Sequence, residues 1–362
     1  MARVRNFYAG PAALPLEALE AARAEFLDFQ GSGVSVMETS HRSKEYDQVH
    51  NEAIALIKEL MGLDDQFTVL FLQGGASLQF AMAPMNLIPP GGSADYVLTG
   101  AWSKKALKEA KIIASARVAA TTEVDGVFRA IPKPDQLDLD PKAAYCHLTS
   151  NNTIFGTQWR SFPDTAGVPL AADMSSDILS RHFDPAPFGL IYAGTQKNLG
   201  PAGVAVVIIR KDMLDRCNKG LPTLLSYQTH ADKNSLFNTP PTFTIYMLNK
   251  TLHWLKGKGG VAAIEKENTA KAELIYGTID NSNGFYTNPI APEDRSQMNV
   301  VFRLPTEDFE AQFVKEGLAR GMVGLKGHRS VGGIRVSIYN ANGLDAVEEV
   351  VAFMNDFASK NS

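Results

Sequence analysis

Leu190-Ile191-Tyr192-Ala193-Gly194-Thr195-Gln196-Lys197-Asn198-Leu199-Gly200-Pro201-Ala202-Gly203 is the stretch on which the reading of this chain turns. A short apolar strand runs into a loop that presents one lysine among polar and glycine residues. A second apolar run, Val204 to Ile209, comes directly after it. Upstream, Ala171-Ala172-Asp173-Met174-Ser175-Ser176 sets a carboxylate at the end of the preceding strand. An amine at one strand end and an acid at its neighbour are what a pyridoxal phosphate site requires. The amine forms a Schiff base, and the acid keeps the pyridine nitrogen protonated so that the ring accepts electrons. A lone lysine in a glycine-rich loop is also an ordinary solvated surface residue, so this pair alone leaves the question open.

Outward from this stretch, Phe67 to Leu72, Tyr96 to Thr99, Ala144 to Leu148, Pro169 to Ala172 and Leu190 to Ala193 are short, continuous apolar runs separated by helical patterns. Runs apolar on both faces predict an α/β fold with a mostly parallel sheet covered by helices, and ligands at the carboxyl ends of its strands. On the N-terminal side, Leu16, Leu19, Ala22, Phe26 and Phe29 recur at helical spacing, as do Val49, Ala53, Leu56, Ile57 and Leu60 before Gly62. Residues 31–42 between them are polar and irregular. Near Gly257-Lys258-Gly259-Gly260 the composition turns to glycine and charge, and the chain beyond reads as a smaller α+β unit. Its expected elements are a helix over 262–276, a strand over 299–303, a helix over 309–319, a strand over 334–338 and a closing helix over 344–357.

The 362 residues are 45% hydrophobic and 20% charged, with a net charge of −4. That balance suits a globular chain with a sizeable core and offers no basic stripe for nucleic acid or an anionic membrane. Cys146 and Cys217 are too few and too isolated for a disulfide framework or a metal cluster, and no metal is expected. No apolar run reaches bilayer-spanning length, and the first residues lack a signal-peptide core, so a reducing cytoplasm is the expected location.

Several separated motifs occur in one order: Asn6-Phe7-Tyr8-Ala9-Gly10-Pro11-Ala12, Ser40-His41-Arg42-Ser43-Lys44-Glu45, the Lys197 segment, Phe237-Asn238-Thr239-Pro240-Pro241-Thr242 and Gly327-His328-Arg329-Ser330-Val331-Gly332-Gly333. Together with Asp173 they resemble the phosphoserine aminotransferases, a family in the class V group of fold-type I pyridoxal phosphate enzymes. The resemblance runs nearly end to end. It implies a large domain over residues 16–260 with a seven-stranded sheet, a small C-terminal domain over 261–362, and an N-terminal segment, 1–15, packing with the small domain.

The resemblance also implies roles. Lys197 and Asp173 would be the catalytic pair, with Lys197 holding the cofactor and Asp173 its ring nitrogen. Gln73-Gly74-Gly75-Ala76-Ser77 opens a helix after a strand, which on its own is an ordinary tight turn; by resemblance, Ala76 and Ser77 hold the cofactor phosphate. Some relatives carry arginine where Ser77 stands, so its hydroxyl and nearby N–H groups would do more of the holding. Trp102 would stack on the ring, Thr153 would meet the phenolic oxygen, and Gln196 would complete the same set. Asn238 and Thr239 would reach the cofactor phosphate of the neighbouring subunit in a homodimer.

For substrate, Arg335 would take the α-carboxylate, while His41, Arg42, His328 and Arg329 would surround the distal phosphate. Guanidinium suits both anions because it donates paired hydrogen bonds in a fixed fork, although each arginine taken singly is an ordinary surface charge. The implied substrates are O-phospho-L-serine and 2-oxoglutarate, giving 3-phosphooxypyruvate and L-glutamate in serine synthesis, with 4-phosphohydroxy-L-threonine of pyridoxine synthesis as a further one. Ala9 departs from relatives that carry serine before Gly10-Pro11.

Two rivals stand beside this reading. An alanine–glyoxylate or serine–pyruvate type aminotransferase, or a cysteine desulfurase, would share Asp173 and Lys197. A desulfurase needs a mobile nucleophilic cysteine, and small-substrate relatives have no use for the His-Arg pairs. A non-catalytic phosphometabolite binder is the second rival, but the chain lacks a Gly-x-Gly-x-x-Gly start and a Walker lysine.

Overall fold

The computed structural model describes residues 3–361. A seven-stranded sheet organises them, its strands ordered Phe67–Leu72, Ala205–Arg210, Phe188–Gly194, Leu170–Asp173, Cys146–Thr149, Ser93–Leu98 and Ser115–Thr121. Ala205–Arg210 pairs antiparallel with both neighbours, and every other adjacent pair is parallel. Continuous apolar sequence results from burial on both faces. One face of the sheet packs Phe71, Val97, Leu148, Ala172, Ile191 and Val206 against Lys44–Met61 and Thr242–Gly257. The other packs Leu70, Tyr96, Ala171, Tyr192 and Val207 against Gly75–Leu87 and Ala101–Ile113.

A separate core lies toward the C-terminus, where Ile275, Ile279, Val300, Phe302, Phe313, Val336, Val350, Phe353 and Phe357 pack together. Phe7 belongs to this core. Arg5–Asn6 pairs in parallel with Met322–Val323, and the Tyr339 hydroxyl donates to Ala9 O at 2.7 Å, so the first strand of the chain adds to an element near its end. Gly324 makes that approach possible, because a Cβ there would lie 2.5 Å from Tyr8 N.

Differences from the sequence reading have local causes. The first helix, Leu16–Glu25, stops earlier than its apolar spacing predicts; Phe26 is exposed, and Phe29 is buried by a 3-10 turn over Phe29–Gly31. The edge strand Ser115–Thr121 has no counterpart among the apolar runs. Only one of its long sides is paired, and its burial shows no apolar alternation to betray it. Gly62 ends the helix Lys44–Met61 in the left-handed conformation, where the apolar spacing stops, and Ser43 caps its start by accepting from Tyr46 N. No helix among the described residues is long and apolar enough to cross a membrane, and no cluster of three or more His, Cys, Asp or Glu among them could hold a metal ion.

Candidate active site

At the carboxyl ends of the central strands lies a cavity of about 450 Å³. Ala76, Ser77, Trp102, Thr153, Asp173, Gln196, Lys197, His328 and Arg335 line it, together with Thr149, Ser175 and the Gly10-Pro11 segment. Nine residues singled out in the sequence therefore meet in one place. His41, Arg42, Asn238, Thr239 and Arg329 do not line it in this chain. Arg42 and His41 sit on the turn before the Lys44–Met61 helix, where Arg42 Nε lies 3.4 Å from His41 Nε2, and Thr239 is exposed.

Asp173 ends its strand beside Thr149 on one side and Tyr192 on the other. Its Oδ1 accepts from Ser175 N at 2.9 Å and from Ser175 Oγ at 2.6 Å. Ser175 Oγ in turn accepts from Gly194 N at 3.0 Å, which ties the carboxylate to the lysine-bearing strand. Burial raises the Asp173 carboxyl above its ordinary value, while the Lys197 charge and the Ser175 bonds oppose the rise. Burial lowers the Lys197 ammonium, opposed by Asp173 and Asp177 and assisted by Arg335. Each group is thus desolvated, and each is the other's main electrostatic compensation. The Lys197 amine stands 5.9 Å from the centre of the Trp102 ring. Trp102 Nε1 donates to Thr153 Oγ1 at 3.2 Å, fixing the indole and leaving the Thr153 hydroxyl proton free to donate into the cavity.

The turn opening Gly75–Leu87 has no side-chain cap. Gly74 holds φ +85, and a Cβ there would meet Leu78 Cδ2 at 2.6 Å, so both conformation and space demand glycine. The first-turn N–H groups of the helix, which lack carbonyl partners within it, face the wall made by Ala76 and Ser77 and suit a phosphate. Opposite, Arg335 donates through Nη1 to Thr153 O at 2.9 Å, while its Nε is buried without a partner. His328 is held below its ordinary pKa by burial and by the cations Arg335, Arg329 and Lys105. Its loop is braced from behind: Arg303 Nη1 donates to Val331 O at 3.1 Å, and Gly333 N donates to Glu310 Oε2 at 3.1 Å.

Sequence reasoning missed the frame beneath these groups. Three consecutive carbonyls after Asp173 each accept from an asparagine: Ile178 O from Asn198 at 3.1 Å, Leu179 O from Asn340 at 2.9 Å, and Ser180 O from Asn268 at 3.0 Å. Leu179 is buried with φ +57, a conformation rarely adopted by a bulky residue and held here by the surrounding bonds. Asn198 adjoins Lys197, whereas Asn340 lies just past the strand that carries Arg335. Isolated asparagines in loops and within a helix give no sequence signal of this kind.

The donor set fits pyridoxal phosphate: a desolvated amine, a buried carboxylate, an indole wall and a glycine-rich helix start share one cavity of suitable size. The family description "Aminotransferase class-V" matches residues 4–350. A protein of Lysinibacillus sphaericus (strain C3-41) named phosphoserine aminotransferase is 58% identical over 99% of both chains. The chain belongs to the phosphoserine aminotransferase family of class V aminotransferases. The solved phosphoserine aminotransferase of Bacillus circulans subsp. alkalophilus superposes with a TM-score of 0.97 at 53% identity over 99% of both chains. A pyridoxal phosphate-bound phosphoserine aminotransferase of Trichomonas vaginalis gives 0.93 at 42% identity, covering 98% of this chain and all of that one. The protein is accordingly an aminotransferase of the fold-type I class whose cofactor is pyridoxal phosphate.

Proposed function

We propose that this aminotransferase moves the amino group between O-phospho-L-serine and 2-oxoglutarate, giving 3-phosphooxypyruvate and L-glutamate in serine synthesis, and that it also accepts 4-phosphohydroxy-L-threonine. The observation that carries the reading is the cationic end of the cavity. Arg335 offers an unpartnered buried Nε to a carboxylate, and His328 beside it is surrounded by positive groups. A substrate with a second anion suits that end better than alanine does, which disfavours the small-substrate rivals.

Pyridoxal phosphate supplies an aldehyde that condenses with amines and a ring that accepts the electron pair released at the substrate Cα. Lys197 is the amine that holds it at rest. With a substrate in place, the Lys197 amine would carry the proton away from Cα, and its lowered pKa would keep a larger share of it neutral near pH 7 than a surface lysine has. Asp173 keeps the ring nitrogen protonated, because a buried carboxylate without a cation is costly. The N–H groups at Ala76 and Ser77 with Gln196 would hold the phosphate, and Trp102 and Thr153 would hold the ring. Arg335 grips the α-carboxylate, which sets Cα within reach of Lys197.

The same reading makes the working unit a cytoplasmic homodimer, with Asn238 and Thr239 on the partner's cofactor phosphate and His41, Arg42 and Arg329 completing the distal anion site. Two features support it. Asn238 Oδ1 is buried without a hydrogen-bond partner, and exposed apolar side chains occur beside it at Phe237 and ahead of His41 at Phe26, Leu27, Val34 and Met37. The domain division at residue 260, with residues 1–15 attached to the C-terminal unit, belongs to this proposal and has the separate C-terminal core behind it.

Borohydride reduction of the yellow protein and subsequent peptide mapping should label Lys197. Titration should then show phosphoserine bleaching the visible cofactor band at much lower concentration than alanine. Label elsewhere, or alanine acting at equal concentration, would defeat the assignment. Sedimentation should give a dimer. Mixing Lys197→Ala with Asn238→Ala protein should restore one competent site per mixed dimer.

A further inference from the structure

Among the described residues, two side-chain atoms are both buried without a hydrogen-bond partner and carried by residues lining the cavity: Arg335 Nε and Thr149 Oγ1. Arg335 has a use in the reading above, whereas Thr149 has none. Its side chain is almost fully enclosed, at 2% exposure, so bulk water does not serve the hydroxyl. Buried hydroxyls in native proteins nearly always find a partner. The partner of this one must therefore come from the cavity or from a group that turns toward it.

The sheet identifies that group. Thr149 closes its strand in direct register with Asp173 on the adjacent parallel strand. Residues in register put their side chains on the same face, and neighbouring strands lie about 4.8 Å apart. His147, two residues earlier, belongs to that face, where its Nε2 lies 2.7 Å from the Tyr192 hydroxyl. Asp173 meanwhile spends both of its protein hydrogen bonds on Oδ1, leaving Oδ2 without a protein donor. A carboxylate oxygen has two acceptor positions. A ring nitrogen needs only one of them.

We propose that Thr149 is a positioning residue for the cofactor, its hydroxyl donating to Asp173 Oδ2 and holding that oxygen, in its charged form, toward the ring nitrogen. The proposal rests on the reading of Asp173 as the partner of that nitrogen. Ser175 fixes one carboxylate oxygen and Thr149 the other, so the acid can neither rotate nor take up a proton easily. Its effect passes through Asp173, and it should be felt only by a cofactor that has a ring nitrogen.

The test compares full-length wild type, Thr149→Val and Thr149→Ser, stripped of cofactor and titrated by tryptophan fluorescence. The probes are pyridoxal phosphate and its analogue with carbon in place of the ring nitrogen. Valine keeps the shape and removes the hydroxyl. The expected result is that wild type prefers pyridoxal phosphate to the analogue, and that Thr149→Val loses about five-fold in affinity for pyridoxal phosphate, the scale of one hydrogen bond. Affinity for the analogue should stay within about two-fold by the same measure, and Thr149→Ser should restore pyridoxal phosphate binding. Unchanged pyridoxal phosphate affinity in Thr149→Val, or equal loss for both probes, overturns the role given to Thr149 while leaving Asp173 in place. A wild type that binds both probes alike overturns the reading of Asp173 and this proposal with it.

Discussion

The backbone N–H of Asn340 donates to Asn198 Oδ1 at 3.1 Å, joining the loop that holds Lys197 to the segment just past the Arg335 strand. A buried contact outside the cavity therefore ties the segment of the amine proposed to act at the substrate Cα to the segment of the guanidinium proposed for its carboxylate. Asn198→Ala removes this acceptor and also the donor to Ile178 O. A buried carbonyl and N–H left unpaired should cost about 1–3 kcal/mol each, read from urea unfolding. At temperatures where the variant stays folded, kcat/KM for phosphoserine should still fall at least about ten-fold, as expected when reacting groups lose registration. Full activity in a destabilised variant would reduce the contact to scaffolding.

Arg335→Lys should raise KM for both amino donors by about ten-fold or more, with a smaller change in kcat, because an ammonium cannot reproduce the paired bonds of a guanidinium. The variant also loses the Nη1 bond to Thr153 O. Steady-state kinetics with phosphoserine and with glutamate would check this. A fall confined to phosphoserine would reassign Arg335 to the distal phosphate.

Gly324→Ala should be severe. The residue holds φ +86, and the added Cβ would lie 2.5 Å from Tyr8 N and 2.8 Å from Phe7 C. A loss of about 2 kcal/mol or more is expected. Amide exchange should accelerate at Arg5 and Phe7, whose N–H groups donate at 2.8 Å to Gly321 O and Val323 O. Unchanged protection at those two amides would contradict the packing.

Burial pushes the Cys146 and Cys217 thiols up to about 12. Neither should react with a thiol-specific disulfide reagent at pH 8 while the chain is native, and both should react in denaturant. Rapid native labelling of Cys217 would contradict its burial.

His147 is fully buried, and its pKa is pushed down to about 3. Below the ordinary histidine value of about 6.5 the unfolded chain takes a proton that the native chain refuses, so stability falls with pH from there down to about 3. Between pH 6 and pH 4 wild type should lose up to about 1.4 kcal/mol more per pH unit than His147→Gln. Urea midpoints at several pH values would measure the difference. Parallel lines for the two proteins would show that His147 charges inside the fold.

The strands around Lys197 and Asp173 were legible because sheet strands buried on both faces must be apolar throughout. The same property hid the direction of Ala205–Arg210, since an antiparallel strand in that position reads identically. Ser115–Thr121 was invisible because an edge strand carries little apolar demand. Within the site, Lys197, Trp102 and the Gly74-Gly75 turn stand at strand ends and announce themselves by position. Thr149 and the Asn198, Asn268 and Asn340 frame acquire meaning only when distant strands and helices are brought together.

Arg5 and Asn6 lie beside Met322 and Val323, and Gly10 packs against the Lys197 side chain. A ribosome making this chain releases that flank of the pocket first and the strand that clasps it some three hundred residues later. Vitamin capture should thus be a late event in biogenesis, and stalled nascent chains that already contain Lys197 should not retain the coenzyme until the closing segment has emerged.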